Sequence, residues 1–208
     1  MSIEIRKATT TDTPFLAKMI LQSARAGKKV SIYDLIFDGA NDKEILKSLE
    51  KLTTTEAKNS CHYSNFLIAS MDGQDVGTLC SYEPRISNKE AFCTSLKEIG
   101  VENSEESDYV EIMQECDFGL NTRTLVFDCM EELEGFLDVG VLKALMQKSL
   151  LTARLKGYRI AQTIVEIGSL ETLLYYKKLG FKEVREIESE LYKEKFGRSG
   201  LVLLAFEF

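Results

Sequence analysis

The run YRIAQTIVEI, residues 158–167, constrains the fold most strongly because it is the most β-branched stretch of the chain. β-Branched side chains fit a pleated and buried surface, so the run predicts a central β-strand. Helical patterns lie on both sides of it, at residues 141–156 and in the segment SLETLLYYKKLGF. Each pattern ends at a glycine, Gly157 or Gly180, as helices commonly do. A buried strand between two helices predicts an α/β fold.

The first half of the chain adds a strand, two helices and a hairpin. IEIRKA alternates apolar and polar residues, as a half-buried strand does. A helix follows with Thr13 as its cap and a proline at its first position, and a second helix begins after Asn41, where Glu44 completes a capping box. SIYDLIFDG, between these helices, is a short apolar element. Residues 65–70 and 76–82 flank the turn MDGQ and predict a hairpin.

Residues from about 84 to 122 interrupt this succession. NKEAFCTSLKEIG and SEESDYVEIMQECDFG predict two short capped helices joined by an acidic loop. The segment is too short for a core of its own, so we interpret it as a helical insertion between the third and fourth strands of a single domain, residues 1–208. Strands are also expected in TLVFDCMEEL and at residues 181–187 and 201–208. The order of the elements predicts a mixed α/β sheet.

Composition excludes several classes of function. The formal net charge of −7 and the pI near 5.0 disfavour nucleic-acid binding, which needs basic patches. The five cysteines are scattered and His62 is the single histidine, so a multi-histidine metal site is excluded and no metal is expected. No apolar run approaches the ~18 residues of a membrane span, and the N-terminus has no apolar signal core. We therefore expect a cytoplasmic protein without a membrane partner.

The stretch GFLDVGVLKAL, residues 135–145, lies between a strand and a helix. A helix N-terminus gathers unpaired backbone N–H groups whose partial positive charge suits a pyrophosphate. Gly140 lets the backbone approach such a ligand closely. The alternative is a plain strand-to-helix turn, since a single glycine before a helix more often marks only that.

YYKKLGF, residues 175–181, closes a helix after a strand and a polar break. This order and spacing resemble the closing half of the GNAT (Gcn5-related N-acetyltransferase) family, with Tyr176 at the family's tyrosine position. The purely structural alternative is an amphipathic helix with a glycine C-cap and a buried phenylalanine. The resemblance covers nearly the whole chain except residues 84–122. It extends to Arg6, Ala8 and Asp12, to Val76 and Gly77, and to LKGY at residues 155–158.

The resemblance implies a GNAT-like acyl-CoA N-acyltransferase fold with acetyl-CoA as co-substrate. The family's pyrophosphate loop reads Arg/Gln-x-x-Gly-x-Gly/Ala, and this chain departs from it at Leu137 and Leu142 while keeping Gly140. Backbone donors need no particular side chain, so the degenerate loop is still expected to bind phosphate oxygens. The residues assigned to the cofactor are Leu133, Asp138, Val139, Gly140, Val141, Leu142, Lys143 and Ser169.

The activity that the resemblance implies is acetyl transfer to a primary amine of a small molecule or peptide. Tyr176 corresponds to the family's general acid, and Tyr175 is assigned to packing. Glu132 or Glu134 is a candidate base, although a solvated acidic rim is the favoured interpretation of these acids. The oligomeric state considered is a homodimer.

Two alternative functions stay open: a GNAT-fold binding or regulatory protein that has lost catalysis, and an unrelated α/β interaction domain.

The insertion also has two interpretations. Its acids would draw a cationic amine toward the site, or they form the solvated faces of helices whose apolar residues pack inward. The second is favoured. The acids are Glu102, Glu105, Glu106, Asp108 and Glu111, and the apolar residues are Phe92, Leu96, Tyr109 and Met113.

Overall fold

The computed structural model describes residues 2–102, 107–120, 123–137 and 139–208. Seven strands form one mixed sheet in the order β1-β2-β3-β4-β5-β7-β6, which confirms the α/β class and the interior position of residues 158–167. The strands are β1 (Ile3–Lys7), β2 (Phe66–Met71), β3 (Gln74–Tyr82), β4 (Leu125–Glu132), β5 (Ile160–Glu166), β6 (Lys182–Glu188) and β7 (Gly200–Glu207). The helices are α1 (Thr13–Arg25), α2 (Ile32–Ile36), α3 (Asp42–Leu52), α4 (Lys89–Glu98), α5 (Asp108–Glu115), α6 (Val141–Leu155), α7 (Leu170–Lys178) and α8 (Glu190–Phe196).

Local signals in the sequence place several elements correctly. The β2–β3 hairpin turns through Asp72 and Gly73, whose φ angles of 51° and 81° are those of a primed turn. The capping box of α3 is present: the Glu44 amide donates to Asn41 Oδ1 at 3.2 Å, and the Asn41 amide donates to Glu44 Oε2 at 2.9 Å. Both predictions are confirmed.

Two short helices are not predicted by the sequence pattern. SIYDLIFDG contains α2, which begins after Ser31, whose amide donates to Asp34 Oδ2 at 2.7 Å. The connection between β6 and β7 contains α8, which Ser189 caps by accepting the Tyr192 amide at 2.9 Å. Helices of five and seven residues are too short to show a helical period, so tertiary packing stabilises them.

The sheet carries a separate apolar cluster on each face. On one face α1 and α3 pack together and α1 contacts β4, with Leu16, Ile20 and Leu49 fully buried. On the other face α6 contacts β3, and α6 and α7 supply Leu145 and Tyr176 to the second cluster. The two faces therefore offer different side chains to any opening in the sheet.

Helices α4 and α5 belong to the first of these clusters. Leu96 and Tyr109 are buried in it, and Phe92 and Met113 pack against it, as the favoured interpretation expects. Glu102 and Glu111 are exposed, whereas Asp108 pairs with Lys195 of α8 at 2.6 Å. Two further acids of this loop, Glu105 and Glu106, lie outside the described residues.

An ion-pair cluster ties β1 to the start of α1 and to the hairpin. Arg6 donates to both carboxyl oxygens of Asp12, at 2.8 and 2.9 Å, and to Asp75 at 2.8 Å. Asp12, which occupies the N-cap position of α1 in place of the expected Thr13, also accepts the Thr9 amide at 2.7 Å. The hydrogen bonds from Arg6 lower the pKa of Asp12 from 3.8 to about 2.

We expect Asp12→Asn to lower the free energy of unfolding by about 1 kcal/mol at pH 7, the scale of a lost cap or a screened ion pair. The carboxylate stabilises the fold above pH 3.8, and this contribution disappears as the pH falls toward 2 and the folded protein takes up the proton. Urea unfolding at pH 7 and pH 2 measures it. Asp38→Asn, at an exposed residue, is the matched control. A wild-type advantage that is the same at both pH values would contradict this account.

Gly77 lets α6 lie against β3. A Cβ atom at this position would lie 2.6 Å from Val141 Cγ1 and 2.9 Å from the Glu131 carbonyl oxygen. We expect Gly77→Ala to destabilise the protein by about 1–3 kcal/mol because the helix must shift. Gly135→Ala is the control, since a Cβ there meets no atom within 4 Å. Equal midpoints for the two variants in urea unfolding would contradict this close approach.

Candidate active site

The sheet opens between β4 and β5. These parallel strands pair only at Leu125↔Ala161, Val126↔Gln162 and Phe127↔Thr163. Beyond these pairs β4 continues to Glu132 and β5 to Glu166, and both continuations line a cavity of about 1660 Å³. The two strands therefore diverge into a cleft that begins at Phe127 and Thr163.

A β-bulge at Cys129 decides which side chains enter this cleft from each face. Asp128 lies opposite Cys80 and Glu131 lies opposite Thr78, so β4 advances three residues while β3 advances two. Cys129 has a φ of 44°, in the left-handed region. The bulge brings Asp128 and Glu131 to the same face, which a regular strand would not do.

The acids at the end of β4 are consequently divided between the two faces. Glu131 faces α1, where Gln22 Nε2 donates to its Oε2 at 2.9 Å. Glu132 lies beside Gly77 on the α6 face, close enough to Tyr175 for its charge to help raise the pKa of that phenol, although burial is the larger cause. Glu134 lies beyond the strand in a single 3₁₀ turn. The alternation expected of a regular strand does not hold here.

The N-terminus of α6 meets the same cavity. Gly140 adopts a φ of 93° at the cap, and the first amide bonded within the helix is that of Ala144, which donates to the Gly140 carbonyl at 3.0 Å. The amides of residues 141–143 precede this bond and have no acceptor inside the helix. Leu142 and Lys143 line the cavity with them.

The other residues assigned to the cofactor lie around this helix end. The side chain of Val141 is fully buried, that of Val139 is 49% exposed, and Ser169 lines the cavity from the start of α7. The Leu133 amide donates to the Val76 carbonyl at 2.8 Å, so it is engaged within the sheet. Asp138 lies outside the described residues. Leu137 is 56% exposed and leaves the groove open.

Tyr176 lies where the cleft begins. It is 4% exposed, packs edge-on against Phe181, and hydrogen-bonds through its side chain to Thr163, the last β5 residue paired with β4. Burial raises the pKa of the phenol well above its usual value, so it remains protonated at neutral pH. Tyr175 turns the other way, toward Glu132, yet it also lines the cavity.

Asp128 is a site residue that the sequence did not single out. It is the first residue of β4 beyond the last pair with β5, and its side chain is exposed within the cavity that it lines. Partial desolvation by the cavity walls raises the pKa of its carboxyl group. The Cys129 amide donates to its Oδ1 at 2.7 Å, and no cationic side chain of the described residues forms an ion pair with it. The available signal was a lone acid within the apolar strand LVFDCM.

A second group of charges closes the far side of the cavity. Lys28, between α1 and α2, pairs with Glu166 at the end of β5. The Tyr192 hydroxyl of α8 donates to the same Glu166 oxygen at 2.7 Å. This connection joins three elements that are distant in sequence, and it makes α8 part of the cavity wall.

The segment between β3 and β4 supplies another wall. Phe92 of α4 and Met113 of α5 line the cavity, together with Phe118 and the polar residues Ser87 and Asn88. This segment therefore lines the cavity that contains Asp128 with both apolar and polar side chains.

Within the described ranges, no group of three or more His, Cys, Asp and Glu side chains is placed to hold a metal ion. His62 is engaged locally, with its Nδ1 2.7 Å from the Ser64 hydroxyl. No helix in the described part of the chain is long and apolar enough to cross a membrane.

Comparison of the sequence with protein-family models gives no match, and comparison with curated proteins gives none either. Solved structures do match. An N-acetyltransferase from Staphylococcus aureus Mu50 superposes with a TM-score of 0.69 at 16% identity, over 98% of this chain and 100% of that one. A GCN5-related N-acetyltransferase from Kribbella flavida gives 0.60 at 16% identity, over 99% and 98%.

N-acetylglutamate synthase from Neisseria gonorrhoeae, complexed with coenzyme A and N-acetyl-glutamate, gives a TM-score of 0.52 at 15% identity. That match covers 100% of this chain and 35% of the larger enzyme. Together with the diverging fourth and fifth strands and the glycine-led helix beside them, these likenesses identify the architecture. The chain has the fold of the GNAT N-acetyltransferases.

Proposed function

We propose that this chain is an N-acetyltransferase that transfers the acetyl group of acetyl-CoA to a primary amine of a small molecule or peptide. The observation that carries the proposal is one continuous cavity bounded by the β4–β5 cleft and by the N-terminus of α6. The cleft exposes unpaired strand edges, and the helix end exposes unpaired amides. An acyl-CoA has an amide-rich arm that can pair with the strand edges and a pyrophosphate that can accept from the amides of the helix end.

The pyrophosphate is assigned to the amides of residues 141–143, with Gly140 keeping the backbone open. Hydrogen bonds and the partial positive charge of the helix end both favour an anion there. Lys143, which lines the cavity, adds a full positive charge. The structure of the Neisseria gonorrhoeae synthase with coenzyme A supports use of an acyl-CoA on this fold.

The amide-rich arm is assigned to the open edge of β4. Among the described residues, β4 forms no pair with β5 past Phe127, so its edge between Asp128 and Glu131 faces the cleft and can meet an extended ligand, whereas the Glu132 carbonyl accepts Gln22 Nε2 at 3.0 Å. The bulge at Cys129 reorients the backbone where the thioester would lie. A backbone N–H at this place polarises the thioester carbonyl in the proposed reaction.

Tyr176 is the proposed general acid. Its hydroxyl lies at the start of the cleft, and its raised pKa keeps the proton available until negative charge develops on the departing sulfur. Glu132, the base that the sequence suggests, lies on the α6 face, and Asp128 lies on the α1 face. The base is therefore one of two carboxylates that approach the cleft from opposite sides.

A GNAT-fold protein that binds without catalysis is the second candidate. Leu137 and Leu142 favour it, because they stand where the family has a basic or amide side chain and a small residue. Leu137 is exposed and Leu142 lines the cavity, and in the proposed function neither side chain blocks the amides at the start of α6. Binding alone does not separate the candidates, so turnover must be measured.

The central test compares coenzyme binding and turnover in Tyr176→Phe. We expect coenzyme A to bind both proteins with Kd values within about threefold, because the phenol proton is needed only during transfer. We expect the variant to lose about 10²-fold or more in kcat, the scale of general acid catalysis.

Binding is measured by calorimetry and turnover by thiol release against a panel of amines. Tyr63→Phe, outside the cavity lining, is the matched control. Absence of coenzyme A binding to the wild-type chain would refute the proposed function. Unchanged turnover in Tyr176→Phe would remove only the proposed acid.

The exposed Leu137 gives a gain-of-function test. We expect Leu137→Arg to tighten coenzyme A binding by about three- to tenfold, because it adds a charge-assisted contact at the helix end. The tightening should shrink at high salt. Val30→Arg, at an exposed apolar residue outside the cavity lining, controls for net charge. Equal Kd values for both variants would place the pyrophosphate elsewhere.

A further inference from the structure

Asp128 and Glu131 present two carboxyl groups to the α1 side of the cavity. Their β3 partners, Cys80 and Thr78, are two residues apart on one strand, which separates the two positions by about 7 Å. Both side chains line the cavity. The Cys129 bulge creates this arrangement, since residues 128 and 131 of a regular strand would face opposite sides of the sheet.

Neither carboxyl group has a cationic partner among the described residues. Asp128 accepts the Cys129 amide, and Glu131 accepts Gln22 Nε2. Elsewhere in the same cavity Glu166 is neutralised by Lys28. Asp128 is exposed within the cavity and Glu131 is half-buried, and two carboxylates without a cationic side chain beside them make this part of the cavity negative, which favours a cationic ligand.

The space beside the two acids is apolar and aromatic. Tyr33 is buried, its hydroxyl lies 2.9 Å from Cys61 Sγ, and the charge of Asp128 contributes to the raised pKa of its phenol. Tyr82 lies opposite Val126, two residues along the strand from the Cys80–Asp128 pair, and the charge of Asp128 also contributes to its raised pKa, although burial is the larger cause. Phe92 of α4 lines the same cavity. Such walls suit methylene groups and attract ammonium groups to ring faces.

We propose that the acceptor is an aliphatic diamine or polyamine, with the reacting nitrogen at Asp128 and a second ammonium group at Glu131. This inference rests on the proposed acetyl transfer and names its substrate class. Two cations joined by a short methylene chain match two acids about 7 Å apart with an apolar space beside them. A monoamine leaves Glu131 without a partner, and an amino acid brings a carboxylate toward two others.

Asp128 is assigned to the reacting nitrogen because it follows the last β4–β5 pair. Its charge also contributes to the raised pKa of Tyr176, the proposed acid. The reaction balances with these two residues. The substrate ammonium loses one proton to Asp128, and the neutral amine attacks the thioester carbonyl carbon. The carbon–sulfur bond then breaks, the sulfur takes the Tyr176 proton, and the second proton of the nitrogen restores the phenol. The products are the acetamide, coenzyme A and one proton held by Asp128.

The test compares 1,4-diaminobutane with 1-aminobutane and 4-aminobutanoate, using the full chain and acetyl-CoA. We expect kcat/KM for the diamine to exceed both others by at least about tenfold, the scale of one partly buried charge pair. Direct calorimetric binding of each amine to the coenzyme A complex should give the same order. Equal values for the diamine and the monoamine, in turnover or in binding, would overturn the proposal.

Substitution of Glu131 distinguishes a role in recognising the second ammonium group from a role in catalysis. In Glu131→Gln we expect the diamine to lose about tenfold in kcat/KM, mainly through KM, while the monoamine changes less than twofold. Glu111→Gln, at an exposed acid outside the cavity lining, controls for net charge. An equal loss for both amines in Glu131→Gln would indicate a structural effect and overturn the assignment.

Failure of this inference differs from failure of the proposed function. If coenzyme A binds and amines other than diamines are acetylated better, the substrate class is wrong and acetyl transfer stands. If coenzyme A does not bind, the proposed function itself fails. If coenzyme A binds and no amine is acetylated, calorimetry with 1,4-diaminobutane still decides the ligand class.

Discussion

The site depends on the early end of pairing between β4 and β5. The parallel ladder stops at Phe127↔Thr163, although both strands continue beyond it. An unpaired strand edge inside a sheet is costly unless another partner satisfies its backbone groups. Here the edge opens into a cavity that the start of α6 also lines, and the proposed binding of an elongated ligand with an anionic end rests on this arrangement.

One backbone irregularity then assigns side chains to the two sides of this opening. The bulge at Cys129 turns Asp128 and Glu131 toward α1 and leaves Glu132 beside Gly77 and α6. The two faces of the cleft thereby receive different acids from a single strand. Gly77 contributes on the other side by letting α6 approach β3, which brings the helix end to the cleft.

Much of the fold follows from local sequence signals because those signals act over a few residues. The β-branched run, the Asp72–Gly73 turn and the Asn41 cap each specify their own element. Tyr176 is singled out through the resemblance of YYKKLGF to the GNAT family, and it lies on α7 beside Thr163 of β5. The helix end at Gly140 is identified by the same kind of local pattern.

The remaining features arise from contacts between distant segments. A reading of TLVFDCMEEL as a regular strand cannot reveal that residue 129 is bulged, so it favours Glu132 and overlooks Asp128. Helix α8 is too short to show a period, and its place in the cavity wall depends on Tyr192 meeting Glu166. Pairing of Lys28 with Glu166 likewise joins residues far apart in the chain.

Hydrogen exchange of the backbone amides, with and without coenzyme A, tests the central claim most directly. The account predicts that saturating coenzyme A slows exchange by at least about tenfold in two separate segments, residues 128–132 on β4 and residues 141–143 at the start of α6. Exchange in β1 and β2, which lie away from the cleft, should stay unchanged. Unaltered exchange in both segments at saturating coenzyme A would contradict the account.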